Sequence, residues 1–273
     1  MSMNYYDRPE LSQSKLKELK QSPKHFWAKY IDPLRELEAE SDELKFGKAL
    51  HTFLLEKNTF ENKYIVTPKI DKRTKEGKAQ YADFLLQSEN KELMDESDMM
   101  AIKKMVENFY SKNMSKILQC NGLFEHELYW KDKELNIDCK AKPDFFIEPN
   151  NIFKNGLLLD VKSTQDATPD IFARSIDKYG YYNQAGFYCN AVKQIYKTEE
   201  YPQFIIIAME KKSPFEISFF EMDTLAVELG IEENKRLMAL YKKCMDSGIW
   251  GGYPDELHAI GLPVWAINRL SNN

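Results

Sequence analysis

The stretch from Pro143 to Ser163, PDFFIEPNNIFKNGLLLDVKS, constrains this chain more than any other. Two runs of strand-forming residues, 145–147 and 157–161, flank residues 148–156, whose Asn, Pro and Gly predict a hairpin loop. Asp144 stands just before the first run, Asp160 lies near the end of the second, and Lys162 follows Asp160 by two positions. Residues two apart on an extended strand share a face, so Asp160 and Lys162 project together. The hairpin carries Asp144 across to meet them. Two carboxylates and a lysine are therefore expected to converge at the end of a short sheet.

That trio suits one chemistry. Hard carboxylate oxygens bind Mg²⁺, which completes its shell with water and phosphate oxygens. Such a centre lowers the pKa of a bound water and offsets charge on a phosphodiester under attack. A neighbouring lysine orients the water or stabilises the pentavalent transition state. The ordinary alternative is a strand that simply runs out into a solvated loop. The rest of the chain must decide between them.

Before this stretch the pattern is mainly helical. Residues 11–19 predict a helix capped by Ser12 or Ser14, with Leu16 and Leu19 on one face, and a second helix covers 24–30. A charged connector over 36–43 leads to a third helix, 44–56, in which Gly47 and His51 share a face. A lone helical histidine is more often structural than a ligand, so His51 matters only if that face points at the acids. Residues 69–78 carry five basic against two acidic residues, a solvated loop unless it tracks phosphates near the site. Helices are expected over 81–86 and 99–118.

From residue 122 the period changes to two. Residues 123–130 and 137–142 predict a hairpin that leads into Asp144, giving a sheet of three or more strands, antiparallel at first. Glu125 either adds a further acid to the site or pairs with Lys140 or Lys142 across the sheet. Beyond Lys162, helices are expected over 168–178 and 181–192, strands over 203–209 and 215–221, and a long helix over 222–246. Gln184 and Tyr188 are four apart on one helical face, an amide above a phenol that suits a phosphate or a base. The tail, with Trp250, Pro254, Leu262, Pro263 and Trp265, is expected to lie over the body. With no repeat or linker, the 273 residues read as one domain: a mainly helical section 1–120, a sheet-bearing core 121–221, and a C-terminal helix and tail 222–273.

Composition excludes more than it assigns. No apolar run approaches the roughly 20 residues of a membrane span, and the N-terminal residues lack the basic and apolar regions of a signal peptide. Four dispersed cysteines without a CxxC pair argue against a zinc ribbon and fit free thiols in a reducing cytoplasm. The net charge of −5 counts against an extended nucleic-acid grip, although a basic groove can coexist with an acidic exterior.

Taken together the motifs resemble the RecE-type (exonuclease VIII-like) branch of the PD-(D/E)XK nucleases, in the RecB-like group. The opening LSQSKLKELKQSPKHFW is similar to the helix pair that begins those nuclease domains, and FGKALHTFLLE to their GxALH segment. KAKPDFF with LLLDVKS resembles the central motif, YYNQAGFY the QxxxY motif, and the tail IWGGYPDEL…LPVW that of phage-encoded members. The resemblance implies an α/β fold with a restriction-endonuclease-like core, a mixed sheet flanked by helices, and a helical N-terminal section. It implies metal ligands at His51, Asp144 and Asp160, with the Val161 carbonyl as a further one, and a catalytic Lys162. Glu125 falls where relatives carry a glutamate near the site. Gln184, Tyr188 and Lys142 are implied in DNA contact, with Lys142 standing where relatives commonly carry Arg.

The implied activity is Mg²⁺-dependent hydrolysis of linear double-stranded DNA (Mn²⁺ substituting), 5′→3′, leaving 3′ single strands for recombination. No ATP and no iron–sulfur cluster are expected. The implied partners are DNA ends, a RecT-type annealing protein and further copies of the chain in a ring, in the cytoplasm and without a membrane. A structure-specific endonuclease or nickase of the same fold, or an inactive DNA-binding module, are the competing expectations.

Overall fold

Five of the eight residues in the strand Leu157–Thr164 are buried in an unbroken run, as a strand covered on both faces requires. The computed structural model describes residues 4–35 and 39–271, so the 36–38 part of the expected connector lies outside the described residues. Ser12 caps α1 (Gln13–Gln21), accepting from the Lys15 N–H, and Ser22 caps α2 (Pro23–Tyr30), whose Pro23 occupies the first turn. The charged connector ends at Ser41, the cap of α3 (Asp42–Leu55). Next come α4 (Lys57–Lys63), β1 (Tyr64–Val66), α5 (Lys75–Gln87), β2 (Glu92–Met94) and α6 (Glu96–Ser111). The parallel β1–β2 pair is too short to leave a periodic signal. The helix expected over 99–118 breaks at Lys112, which is extended, and resumes as a 3-10 turn over Asn113–Gln119.

The main sheet is built from β3 (Leu123–Phe124), β6 (Phe145–Ile147), β7 (Leu157–Thr164), β8 (Gln203–Glu210) and β9 (Ile217–Glu221), in the order β3-β6-β7-β8-β9. The expected hairpin pairs Phe145 with Leu159 and Ile147 with Leu157. β7 and β8 run parallel, joined through α7 (Pro169–Tyr179) and α8 (Tyr181–Tyr196), and the other pairings are antiparallel. The sheet is mixed and flanked by helices, an α/β fold.

Two expectations about its approach need correction. The 123–130 segment is not one strand, because Glu125 adopts a left-handed φ of 48° and divides β3 from β4 (Leu128–Asp132). The hairpin of β4 with β5 (Ile137–Ala141) forms a separate two-stranded sheet. It packs instead with α1 and α9 (Thr224–Ser247) around Leu11, Ile137, Cys139 and Leu237.

Alternate residues of β7 enter different cores. Leu157, Leu159 and Val161 meet Phe46, Leu50 and Phe109 from α3 and α6. Leu158 meets Ala185, Cys189 and Val192 of α8. By the same period Asp160 and Lys162 belong to the α8 side. The last helix is α10 (Val264–Ser271). The tail covers the body only in part: Trp250 stacks on Phe26 at 5.3 Å, whereas Pro254, Leu262 and Pro263 are exposed, and the Trp265 side chain lies outside the described residues. Among the described residues no helix is long and apolar enough to cross a membrane.

The crossing of α8 over α9 depends on two glycines. A Cβ on Gly186 would sit 2.5 Å from the Gly230 carbonyl carbon, and one on Gly230 would collide with the Tyr182 carbonyl. Both obstacles are main chain. Gly230→Ala is expected to lower stability by about 1–3 kcal/mol. Urea denaturation measures this, and an unchanged midpoint would contradict so close a crossing.

Candidate active site

The site lies at the N-terminal end of β6. The β6–β7 ladder stops at Phe145–Leu159, so the Val161 N–H and carbonyl, two residues on, have no strand partner on that side. Side chains take both. The Val161 N–H donates to Asp144 Oδ2 at 2.6 Å, and the Val161 carbonyl lies 2.8 Å from His51 Nε2. His51 Nδ1 in turn lies 3.3 Å from Asp144 Oδ1. With an acceptor at each nitrogen, the ring is satisfied as a two-donor imidazolium. The face of α3 shared by Gly47 and His51 therefore does point at the acids, and around Gly47 a Cβ would meet nothing within 4 Å.

The second carboxylate is held from α8. Asp160 is only 2% exposed. Its Oδ1 accepts from Gln184 Nε2 at 2.6 Å, and its Oδ2 lies 2.5 Å from Lys162 Nζ. That Oδ2 is buried without a directed hydrogen bond, so the ion pair alone compensates it. The Lys162 ammonium also lies 4.9 Å from the centre of the Tyr181 ring, a cation–π contact. Tyr188 is one turn further along the helix, and its hydroxyl donates to the Lys142 carbonyl at 3.4 Å.

Glu125 is placed by backbone strain. A left-handed φ is uncommon for a residue with a side chain, and here the Glu125 N–H donates to the Asp144 carbonyl at 3.0 Å. Its carboxylate pairs with Lys142 Nζ at 2.6 Å. Lys140 is buried elsewhere, its ammonium donating to the carbonyls of Arg8 and Tyr5. Of the two partners open to Glu125, Lys142 is the one it meets, and it adds an acid to the site as well.

Three carboxylates thus face three cations: Asp144, Asp160 and Glu125 against His51, Lys162 and Lys142. Burial disfavours charge on every one, and the pairings decide the outcome. Burial opposes the His51 imidazolium, but Asp144 outweighs it and raises the group to about 9. Burial would raise Asp144, yet His51, Lys162 and the Val161 N–H hold it below the usual carboxylate range. Asp160 is raised by burial and by the nearby Asp144, with Lys162 offsetting only part. Glu125 is likewise raised by burial and Asp144. Burial would lower Lys162, but Asp160 and Asp144 keep it charged.

His51, Glu125 and Asp144 each offer a ligand atom, and these atoms lie within 4.8 Å of one another. Oxygen donors with one imidazole suit a hard divalent cation such as Mg²⁺ or Mn²⁺, so the residues present fit such an ion. The other two expected ligands make contacts of their own, as His51 and Asp144 also do: the Val161 carbonyl with His51, and Asp160 with Gln184 and Lys162. Three of the five basic residues of 69–78 have local partners: Lys69 with Glu96, Arg73 with Asp71 and Lys72 over Tyr81. Three tyrosines beside the site carry no sequence signal of their role. Tyr181 had no signal beyond preceding Gln184 by three, and Tyr5 and Tyr6, beside Lys142, lie in a segment without periodicity.

Comparison with known proteins bears on the family and the fold. A family model described as a PDDEXK-like domain of unknown function, DUF3799, matches residues 12–260. Among solved structures, a Eubacterium rectale protein provisionally named an exonuclease superposes with a TM-score of 0.60 over 98% of both chains, at 12% identity. At that identity the likeness is one of fold. The protein SSO0001 superposes with a TM-score of only 0.31 at 13% identity, covering 71% of this chain and 85% of its own. No curated protein matches the chain.

If the triad holds a cation, Mn²⁺ will raise the melting temperature of the wild type, and His51→Ala or Glu125→Ala will shift the required concentration upward by about tenfold or more. Melting curves that respond to Mn²⁺ identically in all three proteins would return His51 and Glu125 to structural roles.

Proposed function

The chain belongs to the PDDEXK-like family DUF3799, and from that premise we propose that it is a metal-dependent deoxyribonuclease acting on the ends of linear duplex DNA. The observation that carries this reading is the convergence of Asp144, Asp160, Lys162, His51 and Glu125 around the free edge of Val161. Carboxylates and a lysine at one strand end are what phosphodiester hydrolysis needs and what a binding module does not. When bound, a divalent cation supplies a more acidic water and neutralises phosphoryl charge. His51, Glu125 and Asp144 are the residues that would hold it, with Mg²⁺ the proposed ion and Mn²⁺ a substitute.

The chain's own groups divide the remaining work. Lys162, kept charged by Asp160 and Asp144, orients the attacking water and meets the negative charge that develops on the phosphate oxygens. Gln184 fixes the Asp160 carboxylate by its 2.6 Å hydrogen bond. Tyr188 supports the main chain at Lys142. Lys142 pairs with Glu125 and can exchange that partner for a phosphate. The resemblance to RecE-type enzymes supports 5′→3′ digestion that leaves 3′ single strands. It supports transfer of those strands to an annealing protein, and a ring of chains for processivity, without ATP.

Digestion of end-labelled linear duplex beside a covalently closed circle, with Mg²⁺ and with EDTA, tests this. Metal-dependent loss of the linear DNA alone, with label released first from 5′ ends and no loss by Asp160→Asn, is the expected result. Cutting of the circle would favour a structure-specific endonuclease. Tight binding without cleavage under any divalent metal would leave a binding module.

A further inference from the structure

Two lysines hold a segment that has almost no regular structure. Lys140, on β5, is 2% exposed, and its ammonium donates to the main-chain carbonyls of Tyr5 and Arg8. Lys15, on α1, reaches the same segment and donates to the carbonyls of Arg8, Pro9 and Glu10 at 3.2, 2.9 and 3.1 Å. Leu11 then pairs with Cys139 as an isolated parallel bridge. Burying lysine is unfavourable unless its charge is well compensated, so this anchoring implies that the position of the segment matters.

What it positions is a pair of tyrosines. Tyr5 and Tyr6 meet edge to face at 5.4 Å. The Lys142 ammonium lies 5.5 and 5.1 Å from their ring centres, while also pairing with Glu125 of the candidate metal triad. The Tyr6 ring is also approached by the Lys48 ammonium, 6.0 Å from its centre. Lys48 stands on α3 between Gly47 and His51, paired with Glu40. Although bracketed by two ammonium groups, Tyr6 is 67% exposed. The anchoring accounts for Tyr5, whose burial raises its hydroxyl pKa, whereas Tyr6 keeps most of its ring open beyond its contacts with Tyr5 and the two ammonium groups.

An open aromatic face between cations, beside a hydrolytic centre, is the arrangement that binds a single strand: the base stacks and the phosphates follow the charges. Building on the nuclease reading, we propose that Tyr6 is a base-stacking residue that receives the nucleotide next to the scissile phosphate of a frayed DNA end, with Lys48 and Lys142 contacting the flanking phosphates. Stacking accepts any base, so the subsite favours frayed over tightly paired ends without preferring a sequence.

The test uses the full chain and a duplex with a short single-stranded end carrying 2-aminopurine at its terminal nucleotide, with Ca²⁺ replacing Mg²⁺ to suppress cleavage. Wild type, Tyr6→Phe and Tyr6→Trp are expected to quench the fluorescence on binding. Tyr6→Ala should lose the quench and bind roughly tenfold more weakly, with no further loss when the terminal nucleotide is abasic. Retained quenching and affinity in Tyr6→Ala, alongside normal cleavage by wild type, would overturn the Tyr6 assignment and leave the nuclease reading standing. If Tyr6→Ala binds more weakly than wild type by the same factor on the abasic end as on the intact end, Tyr6 has a structural role and the proposal is overturned. Quenching by a wild type that cleaves nothing would uphold the stacking subsite while removing the nuclease reading. A wild type that does not bind the DNA would remove both.

Discussion

The site depends on two main-chain groups that a strand leaves behind. Because β6 starts only at Phe145, the N–H and carbonyl of Val161 have no strand partner on that side, and an unpaired backbone group inside a protein is costly. Asp144 takes the first and His51 the second. Satisfying one peptide therefore draws a carboxylate from the sheet and an imidazole from α3 to the same point. The next residues on β7, Asp160 and Lys162, are turned toward α8, where Gln184 meets them. Three layers of the fold meet at a single strand end.

Concentrating charge there is unfavourable unless it is compensated, because buried ions lose their hydration. The match of three carboxylates to three cations meets this condition, and it produces unequal acids: Asp144 held low, Asp160 and Glu125 raised. The left-handed Glu125 is the visible strain, maintained by its N–H bond to the Asp144 carbonyl. Lys142 and His51 neutralise Glu125 and Asp144; in the proposed reading a bound cation would take over that role and leave Lys142 for a phosphate.

Much of the α/β fold is legible in the sequence, because period-two runs and cap residues are local signals. The Asp144, Asp160 and Lys162 placement follows from hairpin geometry alone. His51 is different: its helix is legible, but the direction of its face is set by packing of Phe46 and Leu50 on β7, which only the fold determines. Glu125 is legible as a candidate acid, but its left-handed turn is not, since a single such residue leaves the alternation of its neighbours unchanged. The β4–β5 hairpin was legible as a pair but not as a separate sheet, because its partners, Leu11 and Leu237, come from distant segments. Tyr5 and Tyr6 carry no periodic signal, and their place depends on Lys140, more than a hundred residues away.

The central claim is that this charge cluster hydrolyses phosphodiesters, and Lys162 tests it most directly because it is not among the three residues proposed to hold the cation. The measurement is single-turnover cleavage of linear duplex by wild type and Lys162→Ala at saturating Mg²⁺, with metal-induced stabilisation followed in parallel. Lys162→Ala is expected to cleave about a hundredfold or more slowly, with the metal response largely retained. Cleavage by Lys162→Ala at the wild-type rate would contradict that claim.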